Sequence, residues 1–300
     1  MTKAIVSRNL SARRCVDVWR VWYVIGRAAL YIVLTFLSLI FILPLLWMIS
    51  TSLKPEAQLF IFPPKWIPDP ILWSNYVEAL TFFPFFSYMG NTVYIAGYNI
   101  VGQLLSNSFV AYGFSRIDWP GRDKVFFLVL STMMLPGAVT MIPIYLLWRS
   151  TGMVGATAPL RGFGPLIIPA FFGGAFNIFL FRQFFMGLPQ ELSDAARIDG
   201  CSEFRIYAQI ILPLSRPVLA AVALFAFLGC WNDFMGPLIY LTSIKQYTLS
   251  LGLRLFQGQY STKYSLLMAA STVVTLPIIV LFFFAQRTFI QGIAFTGTKG

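Results

Sequence analysis

Acidic residues are concentrated in one polar stretch between two long apolar runs. Segment 188–217 holds four of the 11 Asp and Glu residues of the chain, at Glu191, Asp194, Asp199 and Glu203. A carboxylate at Glu191 complements the positive end of a helix dipole. Gly200 favours a left-handed helix stop, and Ser202 can cap a second short helix. The stretch therefore predicts a compact helix, turn and helix.

The same stretch offers a small apolar face for contact with another protein. Leu192, Ala195, Ala196 and Ile198 are predicted to fall on one side of the first helix. Ala195 and Ala196 allow a second surface to approach closely, while Gly200 permits the sharp turn. The chemistry predicted here is docking into a groove on a partner, although good helix formers before a helix stop would give the same pattern.

The residue types argue against catalysis. The chain contains no His, which removes the commonest general base and the commonest metal ligand. Cys15, Cys201 and Cys230 are far apart, without the paired spacing of a metal site or a disulfide framework. We therefore expect no catalytic, cofactor or metal site in this chain.

Polar residues within apolar runs mark a second candidate site, because such residues are costly inside a membrane. Trp231, Asn232 and Asp233 combine an aromatic face with an amide and a carboxylate, which suits sugar hydroxyls. An equal alternative is that Asp233 lies at a membrane boundary and only caps a helix or pairs with another group. Met133 and Met134 are predicted either to form a gate or to pack against other apolar side chains. The candidate pathway-lining residues are Met133, Met134, Asn177, Trp231, Asn232 and Asp233.

The elements that position these residues are membrane spans. The chain is 58% hydrophobic and only 11% charged, and a helix needs roughly 20 apolar residues to cross the bilayer. An all-α integral membrane protein with six transmembrane helices is predicted. The six apolar runs are 28–50, 86–112, 125–148, 165–186, 218–240 and 266–285.

The basic residues indicate orientation. With both termini in the cytoplasm, the cytoplasmic segments hold roughly two-thirds of the 22 Lys and Arg residues. The net charge of +11 is therefore attributed to topology and not to nucleic-acid binding. The predicted parts are a cytoplasmic segment 1–27, a transmembrane domain 28–285 that includes loop 188–213, and a cytoplasmic tail 286–300. The apolar spans are expected to contact membrane lipid.

A spaced motif within segment 188–217 resembles a known signature. Asp194-Ala195-Ala196 is followed by Gly200 and then by Ile210-Ile211-Leu212-Pro213. This spacing is similar to the coupling loop of permeases in binding-protein-dependent ABC importers, in which the first residue is Glu. Asp194 keeps the charge on a shorter side chain.

Further motifs resemble the carbohydrate-type permeases of the maltose and glycerol-3-phosphate importers. They are Ala111-Tyr112-Gly113-Phe114-Ser115-Arg116, Pro120-Gly121-Arg122, Met133-Met134-Leu135-Pro136, Trp231-Asn232-Asp233-Phe234, and the terminal run from Gln286 to Gly292. The likeness covers the chain from about residue 91 onward.

The resemblance implies an ABC importer permease fold, a multi-pass location in a bacterial-type plasma (inner) membrane, and a set of partners. These are a second permease subunit, an ABC ATPase dimer that holds ATP and Mg, an extracytoplasmic solute-binding protein and a sugar-like solute. The outer loop 242–263 would contact the binding protein. The residues assigned to ATPase coupling are Glu191, Asp194, Ala195, Ala196, Gly200 and Pro213.

Two other classes remain as alternatives. A self-contained secondary transporter or channel would usually carry intramembrane acids or paired unwound helices, and only Asp233 approaches that description. A membrane-embedded enzyme lacks both a nucleophile motif and a carboxylate pair in this sequence. The chain also has no phosphate-binding glycine loop, so ATP hydrolysis is expected in a separate subunit.

Overall fold

The protein is helical throughout the part that the structure describes. The computed structural model describes the backbone of residues 2–258 and 262–296, and the side chains of 22–258 and 262–286. Within those ranges there is no strand, and one isolated bridge joins Gln257 to Thr262. The all-α prediction is confirmed.

Fourteen α-helices form the described backbone. They are α1 Thr2–Ser52, α2 Ser74–Thr81, α3 Phe85–Ser115, α4 Arg122–Ser131, α5 Gly137–Ser150, α6 Gly164–Ile167, α7 Ala175–Met186, α8 Glu191–Ile198, α9 Glu203–Ile206, α10 Leu212–Leu214, α11 Arg216–Asn232, α12 Met235–Tyr240, α13 Leu249–Arg254 and α14 Tyr264–Thr296.

The described helices include several that suit a membrane by length and composition. Trp22–Ser52, Gly164–Met186 and Tyr264–Gln286 qualify individually, and two bent helix pairs would raise the number to five. The predicted span 86–112 corresponds to α3, which is 31 residues long but carries many polar residues and is not in that set. The number of six spans and the side on which each terminus lies stay predictions.

Two predicted spans are broken and not straight. Within 125–148, the chain bends by 97° between Met134 and Gly137, where Pro136 has an extended conformation. The predicted span 218–240 is interrupted where α11 ends at Asn232 and α12 begins at Met235. A separate bend of 79° lies just before this span, between Leu214 and Arg216. Proline removes a backbone hydrogen bond and disfavours helix in the residue before it, which accounts for the break at Pro136.

The two terminal helices extend beyond the predicted boundaries. α1 continues from the predicted cytoplasmic segment 1–27 through the first span without a break. α14 likewise runs from the last span into the predicted tail 286–300, of which residues 297–300 lie outside the described residues. No change in backbone structure marks either predicted boundary.

α3 lies at the centre of the helical packing. It packs against both α7 and α11, while α14 packs against α1 and α11. The core beneath loop 188–217 combines Tyr112 of α3 with Phe181, Phe185, Ile206 and other buried apolar residues. The described part of α1 is exposed along almost its whole length, as expected for a helix that faces lipid or another subunit.

Polar side chains of α3 hydrogen-bond to an irregular stretch between α6 and α7. Asn99 Nδ2 donates to Leu166 O at 2.8 Å, and Ser106 Oγ donates to Ala170 O at 2.9 Å. Asn107 Oδ1 accepts from Gly174 N at 2.6 Å. Backbone groups that are out of regular helix at membrane depth need protein partners, because lipid offers none. α3 supplies those partners.

The backbone of α3 also approaches this stretch closely. A Cβ atom built at Gly102 would lie 2.8 Å from Cδ2 of Phe171. Glycine at this position therefore lets the irregular stretch lie directly against α3, within reach of its amide and hydroxyl side chains. At the other end of the helix, Asn91 Nδ2 donates to the carbonyls of Lys245 and Tyr247, both at 3.0 Å.

We expect Asn107→Leu to destabilise the protein, because the N–H of Gly174 would lose its acceptor. A backbone N–H that loses its acceptor away from water costs about 1–3 kcal/mol, because lipid offers no replacement. Thermal unfolding of the detergent-solubilised protein would show a lower midpoint. Asn232→Leu is the matched control, since Asn232 is exposed and bonds only to its own helix at Leu228 O. Equal effects of the two substitutions would contradict the proposed role of α3.

Candidate functional site

Loop 188–217 has the predicted helix, turn and helix. α8 ends at Ile198, and Gly200 follows in the left-handed conformation with φ of 78°. Ser202 precedes α9, and its side chain accepts from Arg205 N at 3.4 Å. Both the glycine stop and the serine cap are confirmed. A Cβ built at Gly200 would meet nothing within 4 Å. Glycine is therefore favoured there because it adopts the left-handed backbone conformation easily, and not because a side chain would clash with neighbouring atoms.

α8 has two different faces. Ser193 and Ala196 are buried, and Ala196 belongs to the core beneath the loop. Leu192 and Ile198 are 41% and 87% exposed, and Ala195 is exposed beside them. The apolar face predicted from the sequence is therefore mostly free of contacts within the described chain, with Ala196 as the exception. Asp194 and Glu191 are also exposed.

One arm of the loop is held by Arg116, which follows directly after α3. The guanidinium Nη1 donates to Gln190 Oε1 at 2.6 Å, and Nη2 donates to Leu188 O at 2.8 Å and to Phe185 O. Arg116 is only 5% exposed. This side chain therefore fixes both the C-terminal end of α7 and the start of the loop.

The other arm is held by a charged network around Glu203. Arg197 Nε donates to Glu203 Oε1 at 2.8 Å, and Arg197 Nη1 donates to Asp194 at 2.7 Å. Tyr112 of α3 donates its hydroxyl to Glu203 Oε2 at 2.6 Å. Asp194, one of the predicted ATPase-coupling residues, is thus paired within the loop. Glu203 connects the loop to α3.

A five-residue π-helical segment, Tyr207–Ile211, follows α9 and adds a third attachment. The hydroxyls of Tyr207 and Ser108 of α3 lie 2.8 Å apart. π-Helical turns commonly occur at functional sites, because the extra residue reorients neighbouring side chains. Beyond this segment, Pro213 is exposed in α10.

The charge network shifts the ionisation of its members. Hydrogen bonding from Arg197, opposed by burial, holds the pKa of the Glu203 carboxyl below its usual range. The same hydrogen bond raises the pKa of Arg197. Burial lowers the pKa of Arg116. The Glu203–Arg197 pair is therefore charged at neutral pH.

The candidate pathway residues are not all in one place. Trp231 is buried against the core, where its indole Nε1 donates to Val274 O at 3.1 Å. Its neighbour Asn232 is exposed. Met133 and Met134 are exposed next to the 97° bend. Trp231 thus packs within the chain, whereas the other three are available at a surface.

Asp233 lies at the break between α11 and α12. Its Oδ1 accepts from Gly236 N at 3.1 Å, which caps α12. Asp233 also lines a cavity of about 110 Å³ together with Thr92, Asn99, Cys230 and Thr248 among others. The carboxylate therefore caps a helix, which is the alternative role predicted for it from the sequence. It also forms part of a polar cavity.

Asn177 lies on α7 and faces α3. Its Nδ2 donates to Gln103 Oε1 at 2.5 Å, while its Oδ1 is buried without a partner among the described residues. The two amides form an isolated polar pair between helices. Among the side chains that the structure describes, 22–258 and 262–286, no group of three or more Cys, Asp and Glu residues is arranged to hold a metal ion.

Sequence reasoning missed the residues that hold the loop in place. In the sequence, Arg116 and Tyr112 stand out only as members of a family-like motif, and Glu203 only as one of four acidic residues. A signal existed, since an arginine at the end of a span in a charge-poor chain requires partners. The identity of those partners depends on three-dimensional proximity between residues about 70 to 90 positions apart.

The chain resembles known permeases along nearly its whole length. The arabinooligosaccharides transport system permease protein AraQ of Halalkalibacterium halodurans is 37% identical over 268 residues, which cover 88% of this chain and 94% of that protein. AraQ of Bacillus subtilis is 33% identical, with 91% and 96% covered.

The fold also matches a solved structure. A chain from a bacterial ABC transporter involved in the import of the acidic polysaccharide alginate superimposes with a TM-score of 0.75 at 23% identity, covering 88% of this chain and 96% of that one. Residues 23–294 match the family described as binding-protein-dependent transport system inner membrane component. The chain belongs to this family and is a non-catalytic, multi-pass permease subunit of an ABC importer.

Proposed function

We propose that this chain forms half of a carbohydrate pathway across a bacterial inner membrane and couples it to ATP hydrolysis through loop 188–217. Its partners would be a second permease, an ABC ATPase dimer and an extracytoplasmic solute-binding protein. Similarity to permeases named for arabinooligosaccharide transport supports a sugar-like solute.

The exposed face of α8 is the observation that carries the coupling role. Leu192 and Ile198 present large apolar side chains outward, although a buried core lies directly beneath the helix. Phe204 of α9 is 68% exposed on the same loop. An exposed apolar patch rimmed by charges is typical of a protein interface. We assign this patch to the ATPase groove.

The individual coupling residues take different roles in this proposal. Ala195 provides the close approach, and Gly200 provides the turn that ends α8. Asp194 acts indirectly through its pair with Arg197. Glu191 and Pro213 are exposed and lie on opposite arms of the loop. ATP and Mg would be bound by the ATPase, with none in this chain.

The solute pathway in this proposal uses amide and carboxylate groups of the inner helices. The Asn177–Gln103 pair, Asn232 and the cavity at Asp233 offer hydrogen bonds that match sugar hydroxyls. Exposed Met133 and Met134 would contact solute or the second permease near the bend. Outer loop 242–263 would meet the binding protein, and its residues 259–261, including Tyr260, lie outside the described residues.

A self-contained secondary transporter has less support. Family membership points to a permease that works with a binding protein. The coupling loop would also have no role without an ATPase.

Purification in mild detergent from the native membrane tests the proposal directly. We expect a tagged chain to recover an ATPase, a second multi-pass permease and a solute-binding protein, each identified by mass. The solute-binding protein would then bind an oligosaccharide or related sugar in calorimetry. Recovery of the chain alone, with transport in liposomes that contain no ATP, would support the secondary transporter instead.

We expect Gly200→Leu to impair both co-purification with the ATPase and transport. A β-carbon in the left-handed conformation costs about 1–2 kcal/mol, which would disturb the end of α8. Gly200→Asn is the matched control, because Asn tolerates this conformation and the space around the residue is open. Transport assays on both variants check the expectation. Normal transport by Gly200→Leu would exclude a need for this turn.

We expect the attachment of the loop to weaken at acid pH. The pKa of Glu203 is lower in the folded protein than in the unfolded chain. Its stabilising effect is therefore full above the unfolded pKa and is lost as the pH falls through the folded pKa. Thermal unfolding of wild type and Glu203→Gln should differ at pH 7, and the difference should shrink as the pH is lowered below the unfolded-state pKa of about 4.3. A constant difference across this range would contradict the role of Glu203.

A further inference from the structure

Arg116 is held by an unusual set of partners for a buried cation. Its two terminal nitrogens donate to a side-chain oxygen of Gln190 and to the carbonyls of Phe185, Leu188 and, at 3.5 Å, Pro189. Among the described residues no carboxylate lies within ion-pair distance of Arg116. Carbonyls at the C-terminal end of α7 carry partial negative charge and so stabilise the guanidinium.

The geometry of this site requires an arginine. Nη1 and Nη2 of Arg116 each reach two acceptors, so the planar fork spans from the last turn of α7 to the residue before α8. A lysine ammonium is a single point and cannot bridge the same distance with fixed direction. The side chain therefore joins the C-terminal end of α7 to the residue before α8.

The backbone of Arg116 receives a contact from the loop as well. Arg197 Nη2 donates to Arg116 O at 3.4 Å, so α8 is connected to the same residue from its other end. Arg116 directly continues α3, whose N-H and C=O ladder runs without a break from Phe85 to Ser115. A displacement of α8 is thus passed to the end of a continuous helix.

The far part of α3 reaches the polar cavity. Thr92 and Asn99 of α3 line the cavity that contains Asp233, and Asn99 also bonds to Leu166 O. A rigid helix therefore connects the loop to the region assigned to the solute. The exposed patch formed by Leu192, Ile198 and Phe204 does not include Arg116, so docking and transmission are carried by different residues.

We propose that Arg116 is a positioning residue that transmits movement of loop 188–217 to α3, and that it is needed for coupling and not for ATPase docking. The inference rests on the proposed function, because it presumes that loop 188–217 meets the ATPase. It assigns to one buried side chain the connection between the start of the loop and α3, beside the attachments that Tyr112 and Ser108 make to the rest of the loop.

The test compares Arg116→Gln, Arg116→Lys and the control Arg122→Gln in the complete complex in liposomes. Arg122 lies on the same side of the protein and pairs with Asp118 and Asp123, but among the described residues it makes no hydrogen bond or ion pair with loop 188–217. Three quantities are measured, namely the amount of ATPase that co-purifies, the rate of ATP hydrolysis, and the number of solute molecules transported per ATP. Solute is the sugar bound by the co-purified binding protein.

For Arg116→Gln we expect ATPase recovery near that of wild type and solute transported per ATP lowered by about tenfold or more, because the start of the loop loses its attachment to the end of α3. For Arg116→Lys we expect the solute transported per ATP to lie between the values of wild type and Arg116→Gln, since a single ammonium keeps only part of the contacts. Arg122→Gln should match wild type in all three quantities.

Two results would overturn the inference. Unchanged solute transport per ATP in Arg116→Gln would show that the contact transmits nothing. Loss of ATPase recovery in both Arg116 variants would show that the residue serves docking or loop folding instead. A wild-type preparation without any ATPase would refute the proposed function itself, which is a separate outcome.

Discussion

The need to satisfy backbone hydrogen-bonding groups away from water governs this structure. Two helical pairs are bent by 97° and 79°, and the stretch between α6 and α7 is irregular. Each break frees N–H and C=O groups that lipid cannot serve. For α6 and the irregular stretch that follows it, α3 meets this requirement with Asn99, Ser106 and Asn107, which lie on one helical face. This stretch can depart from regular helix because the continuous helix α3 supplies its hydrogen-bond partners.

The same helix organises loop 188–217. Ser108 and Tyr112 in its C-terminal part, and Arg116 directly after it, hydrogen-bond to the loop. Their partners are, in this order, the π-helical segment, the charged network around Glu203, and the start of the loop. The surface ion pairs of the loop are individually weak in water. Their connection to a buried tyrosine and a buried arginine gives them a fixed geometry. The apolar residues of α8 are left exposed by this arrangement, which suits contact with another subunit.

The sequence predicted the candidate site unevenly. The turn at Gly200 and the cap at Ser202 follow from local conformational preference, and both are present. Asn177, Asn232 and Asp233 are pathway candidates because they are polar within apolar runs, and Trp231 because it adds an aromatic face, but neither property indicates which way a side chain points. Trp231 proved to be packed against Val274, and Asp233 caps a short helix beside a cavity. Polarity alone cannot distinguish a residue that bonds its own chain from one that faces a solute.

The sequence by itself determined the membrane character, the helical class and the position of loop 188–217, because composition, run length and turn chemistry are local properties. Tertiary structure decided where the spans break, why α3 carries so many polar residues, and what holds the loop. Arg116 and its acceptors are about 70 residues apart in sequence, and Tyr112 and Glu203 are about 90 apart. Such pairings depend on which helices pack together, and no local pattern in a single sequence encodes that choice.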